Sequence, residues 1–386
     1  MKIYEFSQIE HQLAPVFERH GCEAKQLLQI LLDVQEIYFF IPDEVVTYIA
    51  NRLGVSRVSV EGAVNFYSFL SPKSVGEYRL LFSDNITDQM LGKNELMQYF
   101  CEKLWLEPGK VSEDNLLSVD STSCTGMCDQ GPAALVNGWP LTNLDQQRLD
   151  LIASMIRDRT PVSSWPSMLF KVKDNIHRSE ILLGTPSAAG AAINATLERG
   201  NVAAMREIEA SRLRGRGGAG YSTAKKLSDC LASSGKSHYI VCNADEGEPG
   251  TFKDRVLLNS YADLVFEGMT ISAKVVGATQ GFLYLRGEYR YLRRKLEEVL
   301  AQRRIAGLLG RSILGESGFD FDIEIHLGAG AYICGEESAL IESLEGRSGR
   351  PRNRPPFPVT HGYLDQPTLV DNVETFACVS KIAEYD

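Results

Sequence analysis

Apolar residues recur at helical spacing near the start of the chain and give way to strand-length runs beyond residue 76. In AKQLLQILLDVQEIYFF, from residue 24, Leu27, Leu28, Leu31, Leu32 and Val34 form one broad apolar face, which predicts a helix. Ile41-Pro42-Asp43 breaks that periodicity and restarts it, because proline cannot continue a helix but suits its first turn. Ser56 offers an N-cap hydroxyl to a third helix, SRVSVEGAVNFYSFL. From Gly76 the texture changes. EYRLLF and NLLSVD read as strands around the helix KNELMQYFCEKLW, and ALVNGWPL reads as a hairpin turning at Asn137-Gly138. DQQRLDLIASMIRD closes this run as a helix. RTPVSSWPSMLFKVKDNI (159–176), with two prolines and three serines, predicts a linker, and GTPSAAGAA (184–192) is a second break. Beyond it lie the strands HYIVC (238–242), GFLYLR (281–286) and FDFDIEIHL (319–327), the last alternating as a half-buried strand should.

The expected fold class is α/β. A helical domain spans 1–72. The order strand, helix, strand, hairpin, helix over 73–158 fits a small thioredoxin-like domain. A linker covers 159–194, and a second α/β domain covers 195–386. The formal charge of −10, from 40 basic and 50 acidic side chains, argues against a nucleic-acid partner, whose phosphates need a basic face. No apolar run reaches the roughly 20 residues of a membrane span, and MKIYEFSQIEHQLAP has no apolar signal core, so a cytoplasmic location is expected. Eight cysteines in 386 residues are too few for a disulfide scaffold and are read as thiols or metal ligands.

The densest chemistry lies in LRGRGGAGYSTAKK (213–226), where Gly215, Gly217 and Gly220 satisfy G-x-G-x-x-G. A dinucleotide fingerprint needs a strand feeding the glycine turn. NVAAMREIEASRLR, which precedes it, is helix-forming and has no β-branched run. Asp245, about 25 residues beyond the last glycine, mimics the ribose acid of such a site, so spacing alone decides nothing. The glycines form either a flexible turn or a nest of N–H groups before a helix, an anion site. No Walker A sequence is present. Three further stretches bear on the choice. NADEGEPGTFKDR (243–255) crowds Asp245, Glu246 and Glu248 at a strand end. GAGAYICGEESALIESLEG (328–346) sets Glu336 and Glu337 at a helix start. RSGRPRNRPPFP (347–358) is a stiff basic loop.

Together with YLRGEY and DNVETF, these motifs resemble, in order, the FMN- and NADH-binding flavoprotein subunit of respiratory complex I. Their wording is closer to the diaphorase flavoproteins of NAD-reducing [NiFe] hydrogenases. VQEIYFFIPDEVVTYIANRLGVSRVSVEGAVNFYSFL is similar to the start of the thioredoxin-like complex I subunit, a module fused ahead of the flavoprotein in that hydrogenase family. The resemblance implies that Gly215, Arg216, Gly217 and Gly218 line FMN and that Lys226 reaches its phosphate. It places Asn243, Asp245, Glu246, Gly335, Glu336, Glu337, Asn372 and Thr375 on the flavin and ribityl chain. NADH would stack near Tyr221, with Glu248, Tyr332, Arg354 and Phe357 nearby. No acid–base catalytic residue is required. The family usually has Phe at Tyr221, Lys at Arg354 and Asn at Asp371.

The same resemblance implies a four-cysteine 2Fe-2S cluster in the thioredoxin-like domain. Only its second pair, Cys124 and Cys128, is present. Alignment on Gly92 puts Ser83 and Asp88 at the other two positions, a poor set for such a cluster, so a docking module without a cluster is the expectation, and the alternative is a weak or unusual 2Fe-2S cluster, or another metal, held by Cys124 and Cys128. A ubiquitin-like domain and a 4Fe-4S bundle would follow residue 386, so a truncated flavoprotein is expected. The implied function is an FMN-dependent NADH:acceptor oxidoreductase, reversible with NAD+. Its partners would be an iron–sulfur electron-transfer subunit and hydrogenase subunits. A non-catalytic assembly scaffold is the alternative.

Overall fold

The computed structural model describes residues 5–185 and 187–384. Four helices open the chain: Phe6–His20, Leu27–Tyr38, Asp43–Leu53 and Arg57–Phe66. The first lies ahead of the periodic run read from the sequence. Ile9, Leu13, Val16 and Phe17 form its buried stripe. The second ends at Phe39, whose φ of 63° is left-handed, just before the expected Pro42 break. Ser56 Oγ accepts from the Ser59 amide at 3.1 Å, so the N-cap is where the sequence puts it.

Strands β1 (Tyr78–Ser83), β2 (Leu117–Thr122), β3 (Ala134–Val136) and β4 (Trp139–Leu141) form a sheet of order β2-β1-β3-β4. β1 and β2 run parallel and the remaining pairs antiparallel. The β3–β4 turn is Asn137-Gly138, with φ of 47° and 80°, the positive pair a tight hairpin demands. The expected linker is partly structured. Val162–Ser164 and Ser167–Phe170 are short 3₁₀ turns, and Trp165 and Leu169 are buried in the core of this α/β unit. Two large apolar side chains make that stretch a strap, despite its prolines.

The second sheet contains β5 (Tyr239–Ala244), β6 (Gln280–Leu285), β7 (Asp322–Leu327) and β8 (Thr368–Asn372). All are parallel, in the order β7-β6-β5-β8. TLVDN, read from the sequence only as the approach to a helix, is the strand β8; that helix follows as Val373–Glu384. One face is covered by the helices Ala262–Val276 and Val373–Glu384. The N-terminal helices cover the other. Val241, Phe282, Tyr284 and Val370 from the strands share one core with Leu31, Val45, Ile49 and Val60. The helices expected as a separate domain are thus a layer of the second unit. Polar ties fix them: Tyr67 Oη donates to the Arg347 carbonyl at 2.8 Å, and Gln29 exchanges hydrogen bonds with the backbone of Leu327 at 2.9 and 3.2 Å.

On the opposite face the two covering helices nearly touch at Gly268, where an added Cβ would lie 2.6 Å from the Phe376 carbonyl carbon. Backbone cannot retreat as a flexible side chain can. Gly268→Val should lower stability by at least about 1–3 kcal/mol, the usual range for overpacking, read as a fall in Tm.

Candidate functional site

In the second sheet β6 and β7 extend to one side of β5, and β8 returns to its other side. The reversal lies between β5 and β8, where Asn243 stands opposite Asn372. Crevices at the carboxyl ends of parallel strands beside such a reversal are where open α/β sheets bind ligands. The glycine loop arrives there from the helix Asn201–Ala210, and no strand feeds it. The loop closes on itself, with Gly215 N donating to Tyr221 O at 2.8 Å, and continues into the helix Thr223–Ala232, capped by Ser222. The Arg216 amide donates to Thr375 Oγ1 at 2.9 Å, and a Cβ on Gly217 would lie 3.4 Å from the Asn372 Cβ. Gly218 has a φ of 111°, and nothing lies within 4 Å of where its Cβ would be. Backbone freedom and an uncovered surface coincide there.

Residues named from the sequence converge around this loop. Asn243 Nδ2 donates to the Gly335 carbonyl at 2.8 Å, joining the end of β5 to the segment before the helix Glu337–Leu344. Glu336 caps that helix, its Oε2 accepting from the Ser338 and Ala339 amides at 3.0 Å. Arg354 Nη1 lies 3.3 Å from Glu336 and 3.6 Å from Glu337. Lys226, expected on a phosphate, sits under the loop, with Nζ 2.9 Å from Glu337 Oε2 and 2.6 Å from the Val370 carbonyl. Tyr332 Oη donates to Glu248. Tyr221, Tyr332 and Phe357 are exposed aromatic rings.

Glu246 has other partners than the ligand expected for it. Its carboxylate is buried and accepts from the Asp254 and Arg255 amides and from Tyr289 Oη, at 3.0, 3.3 and 3.0 Å. Lys253, Asp254 and Glu374, which the sequence did not single out, meet Asn372 beside the loop. Lys253 Nζ lies 2.6 Å from Asp254 and 3.1 Å from Glu374, and Asn372 Nδ2 donates to Asp254 at 2.6 Å. Their only signal was position inside the motifs quoted above, KDR and NVET.

Buried carboxyl groups give the crevice unusual electrostatics. Burial lifts Asp245 to about 8, opposed by Arg286 and assisted by Glu288. Its Oδ2 is sealed from solvent with no hydrogen-bond partner. Burial, with Glu246 adding, holds Asp254 well above the usual carboxylate range, and burial also raises Asp371. The residues fit a flavin mononucleotide: a glycine surface free of side chains, an unsatisfied buried polar atom, and Arg216, Lys226 and Lys253 around the loop. A separate cavity of about 330 Å³, lined by Ser187, Asn259 and Lys381 among others, includes none of the residues named for the flavin.

The cysteine positions also come together. Cys124 and Cys128 are buried, with their sulfurs 3.2 Å apart. Ser83 and Asp88 join them, but around an intruder: Asn85 Nδ2 lies 3.1 Å from Ser83 Oγ, 2.5 Å from Asp88 Oδ2, 3.4 Å from Cys124 Sγ and 3.7 Å from Cys128 Sγ. An amide nitrogen stands at the centre of the four positions. Two thiols, a hydroxyl and a carboxylate replace the four thiolates a 2Fe-2S cluster normally takes. This donor set does not fit the cluster, and no group of three or more His, Cys, Asp or Glu suited to a metal occurs among the described residues.

Residues 208–381 match the Nuo51 FMN-binding domain, and residues 13–157 match the thioredoxin-like [2Fe-2S] ferredoxin. The chain is similar over nearly its whole length to flavoproteins of NAD-reducing hydrogenases. It is 39% identical to the NAD-reducing hydrogenase HoxS subunit alpha of Cupriavidus necator, over 97% of this chain and 64% of that one. It is 49% identical to an NADH-quinone oxidoreductase subunit of Escherichia coli, over 46% of this chain and 40% of that one. A crystal structure of NAD+-reducing [NiFe]-hydrogenase in the H2-reduced state superposes with a TM-score of 0.86 at 39% identity, covering 94% of this chain and 62% of that chain. The chain therefore spans less than two thirds of the length of these relatives. Among the described residues no helix is long and apolar enough to cross a membrane.

Asp245 has a pH consequence. Its pKa is raised above the unfolded value, so between about pH 4 and 8 the folded state binds more protons and stability falls as pH rises. Asp245→Asn in the flavin-free protein should flatten that fall by up to about 1.4 kcal/mol per pH unit and be the more stable form at pH 8. Urea midpoints from pH 5 to 8 read it. Parallel slopes in the two proteins would refute it.

Proposed function

We propose that the chain is the FMN-dependent NADH:acceptor oxidoreductase module of an NAD-reducing hydrogenase type of complex. It would exchange hydride reversibly with NAD(H) and pass electrons singly to iron–sulfur and hydrogenase subunits. The observation that carries this reading is the bare glycine loop at the β5–β8 reversal, enclosed by Asn243, Gly335, Asn372 and Thr375. Bound there, FMN would supply a carrier that takes two electrons as hydride and gives them up one at a time.

The chain's own residues bind and orient. Gly217 and Gly218 leave one face of the crevice open, so a second planar ring can approach face to face. Tyr221, Tyr332 and Phe357 offer apolar surface to a nicotinamide or adenine. Glu248, held by Tyr332, stands ready to accept hydrogen bonds from ribose hydroxyls. Lys226 and Arg354 supply positive charge beside Glu336 and Glu337. No proton donor is needed, because hydride transfer moves the hydrogen with its electron pair.

Protein reconstituted with FMN should show a flavin absorbance band that bleaches on adding NADH, and should reduce ferricyanide. Binding of FAD alone, or of no flavin, would overturn the reading. Gly218→Leu should weaken FMN binding about tenfold or more, since 1.4 kcal/mol is one decade, with circular dichroism unchanged. Lys226→Ala should weaken it roughly 10- to 100-fold, the range for a hydrogen bond to a charged group.

A further inference from the structure

We propose that Cys124 and Cys128 form a reversible dithiol–disulfide site, built where a cluster would otherwise sit and linked to the 245–252 loop beside the crevice. Three observations carry this. The two sulfurs lie 3.2 Å apart, so closing to the roughly 2.05 Å of a disulfide needs a small movement. The Asn85 amide stands between the four ligand positions and reaches both sulfurs, and the two thiols face one another. The Gly250 amide donates to Cys128 Sγ at 3.3 Å, so the pair touches the loop that bears Glu248.

The oxidant is a hydroperoxide, small enough for a site whose cysteines are only 3% and 8% exposed. The Cys124 sulfur attacks the O–O bond, becoming a sulfenic acid as hydroxide leaves. The Cys128 sulfur then displaces that sulfenic oxygen, the S–S bond forms, and the two thiol protons end in water. With hydrogen peroxide, two thiols and one peroxide give one disulfide and two waters, and the two electrons from sulfur reduce the O–O bond. A thiol reductant reverses the change. In the disulfide Cys128 Sγ is drawn toward Cys124, and the oxidised sulfur is a poorer acceptor for the Gly250 amide, which faces both cysteines.

The test uses the full chain, reduced and then treated with hydrogen peroxide, quenched in acid and alkylated under denaturing conditions. Of the eight cysteines, the pair at 124 and 128 should escape alkylation. Peptide mass mapping should find their peptide lighter by two hydrogens, and dithiothreitol should restore full alkylation. Hydrogen exchange at Gly250 should be faster in the oxidised form. Full alkylation of Cys124 and Cys128 after peroxide would overturn the site. So would stoichiometric iron and acid-labile sulfide in the purified chain that disappear when Cys124 is replaced by serine. Unchanged exchange at Gly250 would overturn the link to the loop.

Discussion

A sheet of four parallel strands must be covered on both faces, because its strands carry apolar side chains on each. The second half of this chain covers one face with Ala262–Val276 and Val373–Glu384 but brings to the other the short helix Glu337–Leu344 with Ala329, Cys334 and Tyr363 beside it. Residues 5–70 complete that layer. Fixing β5 and β8 from both sides holds Asn243 and Asn372 in register, and the glycine loop is then draped over their ends. The openness of the crevice is a product of packing below it. Small residues above can stay bare only because the strands beneath are immobilised.

The thioredoxin-like unit is anchored to the same place by buried charge. Arg286 donates to the Cys124 carbonyl at 2.6 Å and pairs with Glu288, and Arg255 reaches Asp129 at 3.0 Å. A buried ion pair adds little net stability over apolar packing, but removing one partner is severe, so such pairs fix position. The cysteine loop 124–129 thus buttresses the 245–255 segment. The thioredoxin-like unit takes part in shaping the crevice from behind, even though Asn85 stands among its own ligand positions.

Much of this was legible in the sequence because local chemistry agreed with the fold. The Ser56 cap, the Asn137-Gly138 turn and the missing strand before Gly215 each follow from backbone rules acting over a few residues. Ser83 and Asp88 were placed with the cysteines by the family resemblance, aligned on Gly92, and they meet in three dimensions. What could not be read depends on distant partners. Nothing in SDNITD marks Asn85 as the group at the centre, since its neighbours Cys124 and Cys128 lie some forty residues away. The resemblance named Glu246 for the flavin, and its partners within the chain, a helix start and Tyr289, exist only after folding. Trp165 and Leu169 turned an apparent linker into core for the same reason.

The Gln29 side chain has a further meaning. β7 is an outer strand, and Gln29 occupies the backbone groups of its last residue, Leu327, as a neighbouring strand would. An unpaired outer strand is a template for another chain. Expressed without residues 5–70, the flavin half would present that free edge beside a bare apolar face bearing Phe282 and Val370. Its failure would come as self-association into insoluble material before any loss of chemistry, which makes the N-terminal helices a built-in chaperone for the half they cover.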